Sequence, residues 1–202
     1  ALLAGPVLYW EYDRLLHDIG DAVRPGDVAI YLLKPLHYPA ALLATHIGHF
    51  AFEFVAIVLP VAFIVAVTVG LLPPASPFYA LMFLAYWAVS WLILFCLACL
   101  CGLLAFWLLT AFSLEWFLMG IMSLFSGAVI PLWFMPPALA AIFGYLPFAW
   151  VSYYPAAIYL GKLDPDAAWL HLGLGLLWLA ALALATAWLW SQARHRLIVQ
   201  GG

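Results

Sequence analysis

Charged side chains are scarce in this chain, and their scarcity excludes most classes of soluble protein. Lys, Arg, Asp and Glu together make up 7% of the 202 residues, whereas 69% of the residues are hydrophobic. A soluble fold cannot bury so much apolar surface in its core. The formal net charge of −3 also gives no basic surface for nucleic acid. The composition therefore predicts an integral membrane protein that binds membrane lipid and no nucleic acid.

Cysteines are few, and their spacing does not indicate a site. All three (Cys96, Cys99 and Cys101) lie within one apolar run. Their C-x2-C-x-C spacing is superficially that of a metal motif, but no second group of ligands accompanies it. We therefore expect small buried thiols in a membrane helix, with neither a metal site nor a disulfide framework.

Sequence motifs for nucleotide binding and hydrolysis are also missing. The chain contains no G-x4-G-K-[ST] loop, no G-x-S-x-G elbow and no H-E-x-x-H zinc motif. We expect no catalytic residue, no metal and no cofactor in this chain. If ATP drives the protein, another chain must bind the nucleotide with Mg²⁺ and hydrolyse it.

Continuous apolar runs, by contrast, fill most of the sequence. A run of about 18 or more apolar residues predicts a membrane helix, whereas barrel strands alternate apolar and polar residues. The fold class predicted is therefore all-α, a polytopic membrane helix bundle. The predicted spans are residues 46–72, 78–109, 116–130 and 167–189.

Prolines and glycines interrupt the apolar stretch 131–161, so no helix of 20 residues fits there. We expect short re-entrant or interfacial helices, which a membrane tolerates where protein buries them or water reaches them. The predicted parts of the chain are the end of a preceding helix with a cytoplasmic segment (1–45), three membrane helices (46–130), an extracellular hairpin (131–165), and the last membrane helix with its tail (166–202).

The distribution of cations predicts the orientation. Four spans place five of the six Lys and Arg residues on one side, and only Lys162 on the other. The positive-inside tendency makes the first side, with the C-terminus, the cytoplasmic side of a bacterial-type plasma (inner) membrane. An aromatic belt is then expected at the outer interface. Its members would be Trp133, Trp150, Tyr153, Tyr154 and Tyr159.

Three ionisable residues near the start of the first span form the most suggestive cluster. His46, His49 and Glu53 are spaced by three and four residues, which places them on one helical face. At 1.5 Å per residue, Glu53 lies about 10 Å deeper than His46. They are candidates for the translocation path or for a proton relay. Alternatively, the histidines are interfacial and Glu53 is neutral or hydrogen-bonded to a neighbouring helix.

Other polar or small residues of the spans have simpler expected roles. Glu115 is a further candidate for the path, but at a boundary just before a helix it is expected to complement the helix dipole. His171 is expected to be structural. Gly173 and Gly175 would allow close helix packing.

Residues 10–38 form the only extended polar region, and a sequence motif begins there. The stretch GDVAIYLLKPLHYPAALLA (26–44) resembles the cytoplasmic segment of one branch of ABC-2 type transporter permeases. The stretch LPFAWVSYYPAAIYLGKL (146–163) and the closing VQGG (199–202) are similar to the same branch. These matches are spread over nearly the whole chain, and they do not indicate the substrate.

The resemblance implies a type V exporter-like permease with six membrane helices per subunit. It implies a second permease as partner, in a homodimer or a heterodimer, and two cytoplasmic ATP-binding cassette subunits. The polar segment would contain the coupling helix that docks on the ATPase. Its residues here are Asp18, Asp21, Arg24, Pro25, Gly26, Asp27, Lys34 and Pro35. The stretch 131–161 would be the extracellular re-entrant hairpin, and the first two helices of the family plan are expected to precede residue 1.

The function expected from these features is efflux of a hydrophobic or amphipathic substrate, driven by ATP that a separate subunit hydrolyses. The alternative is an ion-coupled carrier or intramembrane enzyme that uses His46, His49 and Glu53. The two hypotheses differ in whether purified protein is active without an ATPase.

Overall fold

Helices make up the architecture of the described residues, and no strand occurs among them. The computed structural model describes residues 14, 15, 18, 38–68, 70, 73–108 and 111–200, without the side chains of 105–108, 111–115 and 194–200. The elements are α1 (Tyr38–Glu53), the π-helix π1 (Phe54–Val58), α2 (Leu59–Thr68), α3 (Pro77–Leu108), α4 (Ala111–Phe125), a 3₁₀ turn (Leu132–Phe134), α5 (Pro137–Tyr145), α6 (Phe148–Tyr159) and α7 (Pro165–Gln200). The predicted all-α membrane helix bundle is confirmed.

Three helices in the described part of the chain are long and apolar enough to cross a membrane. They are Tyr38–Thr68, Pro77–Leu104 and Pro165–Ala193, with 31, 28 and 29 residues. Each exceeds the roughly 20 residues that a hydrocarbon core of about 30 Å requires. The remaining predicted span, 116–130, corresponds to α4, which has 15 residues and ends at Phe125. A helix of that length reaches only about 22 Å, so its crossing of the membrane stays a prediction.

The central helix is α3. In its most apolar stretch 67% of the residues are buried, against 6% for the helix formed by α1, π1 and α2, and 17% for α7. The core forms where α3 packs against α6 and α7, around side chains such as Tyr86, Ile93 and Trp150. Cys96 and Cys99 are buried in α3 as free thiols, as the sequence predicted.

Two membrane helices extend beyond their predicted limits. α1 begins at Tyr38, eight residues before the predicted start of the first span. Pro39 is compatible with this start because a first-turn proline has no intrahelical N–H partner to lose. α7 continues through the polar tail to Gln200, where the predicted span ends at residue 189. Alanine, leucine and arginine, which are strong helix formers, extend α7 past its apolar part, whereas the added residues 38–45 of α1 are themselves largely apolar.

The proline-rich stretch folds into short helices, as predicted. Pro136 immediately precedes α5, and Pro147 is the N-terminal cap residue of α6. A proline disfavours helical conformation in the residue before it, so helices end there. Pro155 is an exception, since it lies inside α6 and does not end this helix. The depth of this hairpin in the membrane, and hence its re-entrant nature, stays a prediction.

The sequence IYLGK at 158–162 forms the end of α6. Gly161 has a positive φ of 64°, which glycine adopts without steric cost. The N–H of Gly161 donates to the carbonyl of Ile158 at 3.0 Å, and the N–H of Lys162 donates to that of Ala157 at 2.9 Å. This pair of bonds is a Schellman motif. It ends α6 and turns the chain towards α7.

Candidate functional site

His46 and Glu53 lie on one buried stripe of α1. They are seven residues apart, or about two turns and 10 Å along the axis. His46 is 1% exposed and Glu53 is 7% exposed, although most of their neighbours in α1 face outward. Two ionisable groups are thus removed from solvent and from lipid on the same side of the helix.

Both buried groups are paired with the polar segment that precedes α1. Arg14 Nη2 lies 2.8 Å from Glu53 Oε1, and Asp18 Oδ2 lies 3.4 Å from His46 Nε2. Arg14 and Asp18 have helical backbone conformation. We call these four residues the polar clamp.

The order of the pairs fixes the direction in which the two chain segments run. Arg14, the earlier residue, contacts Glu53 near the end of α1, and Asp18, the later residue, contacts His46 about two turns earlier in α1. The segment containing residues 14–18 therefore runs antiparallel to α1. Leu15, which lies between the two pairs, is 2% exposed and belongs to the main hydrophobic core. The clamp thus joins the polar segment to the bundle by charge and by apolar burial together.

Burial makes the Arg14–Glu53 pair energetically demanding. A carboxylate that leaves water loses hydration energy, and it regains this energy only through an opposite charge and hydrogen bonds. The Glu53 side chain is 9% exposed and the Arg14 side chain 38%. The pair is therefore half solvated, with the acid as its buried member. Removal of Arg14 would leave Glu53 as an uncompensated charge.

Aromatic rings hold the same stretch of α1 against α3. Phe50 lies 5.0 Å from Trp87 and 5.2 Å from Trp91 between ring centroids. The His46 ring lies 6.3 Å from Phe95. Offset and tilted ring pairs at these distances are favourable beyond the area they bury. α1 is therefore fixed to the central helix by rings, and to the polar segment by the Arg14–Glu53 ion pair and the Asp18–His46 contact.

The predicted group of His46, His49 and Glu53 divides in the structure. His49 is exposed, and its ring lies 6.2 Å from that of His46. Glu53 has Arg14 as its partner, and the role of these three residues in a translocation path stays a prediction. Among the described residues, no group of three or more His, Cys, Asp or Glu side chains is placed to hold a metal.

The other predicted site residues are only partly visible. Asp18 belongs to the polar clamp, whereas Asp21, Arg24, Pro25, Gly26, Asp27, Lys34 and Pro35 lie outside the described residues. Glu115 is the fifth residue of α4, whose first turn contains no acidic residue. The prediction that Glu115 lies just before a helix is therefore wrong.

A second polar cluster, around Tyr86 and Ser90 of α3, was not predicted. The hydroxyl groups of Tyr86 and Tyr154 donate to the carbonyls of Ala168 and Gly144, at 2.6 Å and 2.9 Å. Ser90 donates to the carbonyl of Trp150. These bonds join α3, the hairpin helices and α7 into one unit. The tyrosine spacing gave no signal of this, because the acceptors are backbone groups far away in sequence.

Two residues assigned to the aromatic belt are instead in the core. Trp150 is 0% exposed and Tyr154 4% exposed, so neither can face the lipid headgroups. The Tyr154 ring packs 4.8 Å from that of His171, in agreement with a structural role for this histidine. Trp133 is an exposed member of the predicted belt, and the ammonium of Lys162 lies 5.7 Å from its ring.

Gly175 leaves the space in which the Trp150 indole is buried. A Cβ on Gly175 would overlap the indole nitrogen of Trp150, whereas a Cβ on Gly173 would meet nothing within 4 Å. Of the two glycines expected to allow close packing, only Gly175 does so within the chain. α6 thereby approaches α7 closely enough to place an entire indole between them.

These features define an integral membrane protein built from long apolar helices, in which a buried glutamate and a buried histidine meet a polar segment. The sequence model of the family described as "ABC-2 family transporter protein" matches residues 9–201. The chain belongs to this family of ABC transporter permeases, which generally work with ATP-binding cassette subunits. The resemblance predicted from the sequence is confirmed. No match was found among curated proteins or among solved structures.

Proposed function

We propose that this chain is the permease subunit of an ATP-driven exporter. Its energy would come from ATP that two separate cassette subunits bind with Mg²⁺ and hydrolyse, because the sequence contains no nucleotide-binding loop of its own. Family membership over residues 9–201 supports this proposal. The observation that carries it is the polar clamp, which ties a polar segment to the buried face of a membrane helix.

The clamp supplies a physical route for coupling. A coupling element must expose charge to a soluble partner and yet stay attached to a helix that moves. The Arg14–Glu53 ion pair and the contact between Asp18 and His46 meet the second requirement. Residues 18–35 would meet the first, with Asp27 and Lys34 in the docking surface. Transport then follows from different affinities of the ATPase for two conformations of the permease.

The proposed cargo is hydrophobic or amphipathic. Of all residues, 17% are aromatic and 7% are charged, so the membrane part offers rings and few fixed charges to a substrate. A path of this composition favours lipids, drugs or other apolar molecules over ions. A second permease subunit would complete the path, and the C-terminus would lie in the cytoplasm of the cell whose inner membrane holds the complex.

Charge reversal in the polar segment tests the coupling. The variant Asp27→Lys with Lys34→Glu keeps the net charge but reverses the proposed docking surface. We expect at least about a tenfold loss of transport per ATP hydrolysed, equivalent to about 1.4 kcal/mol. The measurement is ATP-dependent uptake of fluorescent amphipathic dyes by inside-out vesicles that contain the permease with its cassette subunits.

A matched control reverses the same residue types on the opposite side. Asp166 and Lys162 are exposed near the start of α7, and Asp166→Lys with Lys162→Glu should leave coupling unchanged. Unchanged coupling in the Asp27 and Lys34 variant would refute the docking assignment. Dye transport by preparations free of any ATPase would refute the proposed energy source.

A further inference from the structure

The helix formed by α1, π1 and α2 changes its surroundings abruptly at Glu53. Its buried residues are Tyr38, Pro39, His46 and Glu53, all of which belong to α1. π1 and α2 contain no buried residue. α1, which contains His46 and Glu53 of the polar clamp, therefore packs against the bundle. π1 and α2 bury no residue against the described part of the chain.

The backbone hydrogen bonding changes at the same place. π1 occupies Phe54–Val58, and the N–H of Leu59 donates to the carbonyl of Phe54, five residues earlier. A π-turn contains one residue more than an α-turn, and it occurs mainly at sites where a helix must bend or adapt. The helical ladder is therefore irregular immediately after the clamp.

Pro60 extends the irregularity into α2. It is the second residue of α2, and proline has no N–H to donate to the carbonyl four residues before it. That carbonyl belongs to Ala56, inside π1. A π-turn and a proline are two established causes of helix bending, and here they are adjacent.

Aromatic packing ends at the same level. Phe54, the first residue of π1, lies 5.4 Å from Trp87 between ring centroids, and Phe50 one turn earlier contacts the same ring. In α2 the large side chains Phe63, Ile64 and Val67 are all more than half exposed. The last ring contacts with α3, the change in backbone hydrogen bonding and the loss of side-chain burial thus all occur within one turn of this helix.

We infer that π1 together with Pro60 is a hinge, about which α2 swings while α1 stays fixed by the polar clamp and by Trp87. The ten residues of α2 form a lever of about 15 Å, so a bend of about 30° moves its end by roughly 8 Å. This inference concerns one helix and does not rest on ATP as the energy source.

Distance measurements in the full-length protein test the hinge. Spin labels on p-acetylphenylalanine, which leave the native cysteines intact, are placed at Val67 in α2 and Leu170 in α7. A second pair is placed at Ile47 in α1 and Leu184 in α7. All four positions are exposed. In lipid nanodiscs, pulsed electron resonance should give a broad distance distribution for the first pair and a narrow one for the second.

Removal of the hinge provides the decisive comparison. Deletion of Ala56 combined with Pro60→Ala converts π1 and α2 into regular α-helix, and the distribution between positions 67 and 170 should narrow to the width of the control pair. Pro137→Ala, an exposed first-turn proline of α5, should change neither distribution.

Three outcomes would overturn the inference. They are a narrow 67–170 distribution in the wild-type protein, a broad one that persists in the deletion variant, and equal breadth for both pairs. If the deletion variant does not fold, Pro60→Ala alone decides, since it must narrow the 67–170 distribution. No ATPase takes part, so this result is separate from the transport assay.

Discussion

At the scale of single residues, Glu53 combines deep burial with a charged partner. Its carboxylate is 2.8 Å from the Arg14 guanidinium, and the next residue begins a π-turn. A buried acid that is paired in this way is costly to disturb from one side only, because the remaining charge cannot be hydrated. The ion pair therefore specifies where the polar segment attaches, whatever its net contribution to stability.

A double-mutant cycle measures this pairing. Arg14→Ala should lower the free energy of unfolding by about 1–3 kcal/mol, because it leaves a buried acceptor without its partner. Glu53→Gln should cost less, because the neutral amide needs no counter-charge. The double variant should resemble Glu53→Gln alone, and the free energies are measured by unfolding in mixed detergent micelles.

Additivity would contradict the pairing. Two independent residues give a double variant whose loss is the sum of both single losses. His49→Ala is the matched control for the same helix, since His49 is exposed one turn away from His46, and it should change the unfolding free energy by less than about 0.5 kcal/mol.

At the scale of elements, the close approach of α6 and α7 depends on the absence of one side chain. Gly175 leaves room for the indole of Trp150, which is 0% exposed. Side-chain bonds reinforce the contact nearby, since Trp178 Nε1 donates to the carbonyl of Tyr145 at 2.8 Å. Small residues at a crossing point let membrane helices approach each other, and packing then supplies the attraction.

Two glycine substitutions on one helix test this contact. Gly175→Ala should lower the midpoint of thermal unfolding, because the indole must move and overpacking costs about 1–3 kcal/mol. Gly173→Ala should leave the midpoint unchanged or raise it, because alanine favours a helix by about 1 kcal/mol over glycine. The midpoints are compared in the same detergent by loss of monodisperse protein on heating. Equal midpoints for the two variants would show that the packing of Trp150 does not require the space left by Gly175.

At the scale of the whole molecule, α3 is the axis on which the other helices pack. α6 and α7 cover one part of it, and α1 covers another near the polar clamp. The outer faces of α2 and α7 carry exposed Phe, Leu, Ile and Trp side chains. In water such a surface would aggregate, but in a bilayer it meets lipid chains of the same polarity.

The proposed orientation can be measured in cells. Lys162→Cys should react with a membrane-impermeant maleimide added to intact cells, because the positive-inside tendency places residue 162 outside. Arg194→Cys should react only after permeabilisation. The wild-type protein, with Cys96 and Cys99 buried, gives the background. The opposite labelling pattern would invert the orientation and place the polar segment outside.

Much of the fold was predictable because hydrophobicity acts along the chain. The limits of α3 differ from the predicted 78–109 by one residue at each end. The short helices of the hairpin follow from Pro136 and Pro147. The least accurate limits lie at the ends of membrane helices, as in α7, which continues to Gln200 because helix propensity persists beyond its apolar stretch.

The candidate site was predictable only in its parts. An ionisable residue in an apolar run can be singled out from the sequence, and His46, His49 and Glu53 were named in that way as candidates for the translocation path, although His49 is exposed. Their partners could not be found, because an ion pair depends on how two segments approach each other in space. Pro60 indicates from the sequence that the helix is irregular near residue 60. Proline alone does not specify, however, whether the backbone there forms a π-turn or a simple bend.

Sequence alone determined the membrane class, the helical architecture and the family, since each depends on residues read in order along one chain. Tertiary structure alone decided that Arg14 meets Glu53, that Trp150 is buried against Gly175 and that burial ends at Phe54. The physical reason is that hydrophobic transfer is a sum over single residues, whereas charge pairing and close packing depend on distances between residues that the chain keeps far apart.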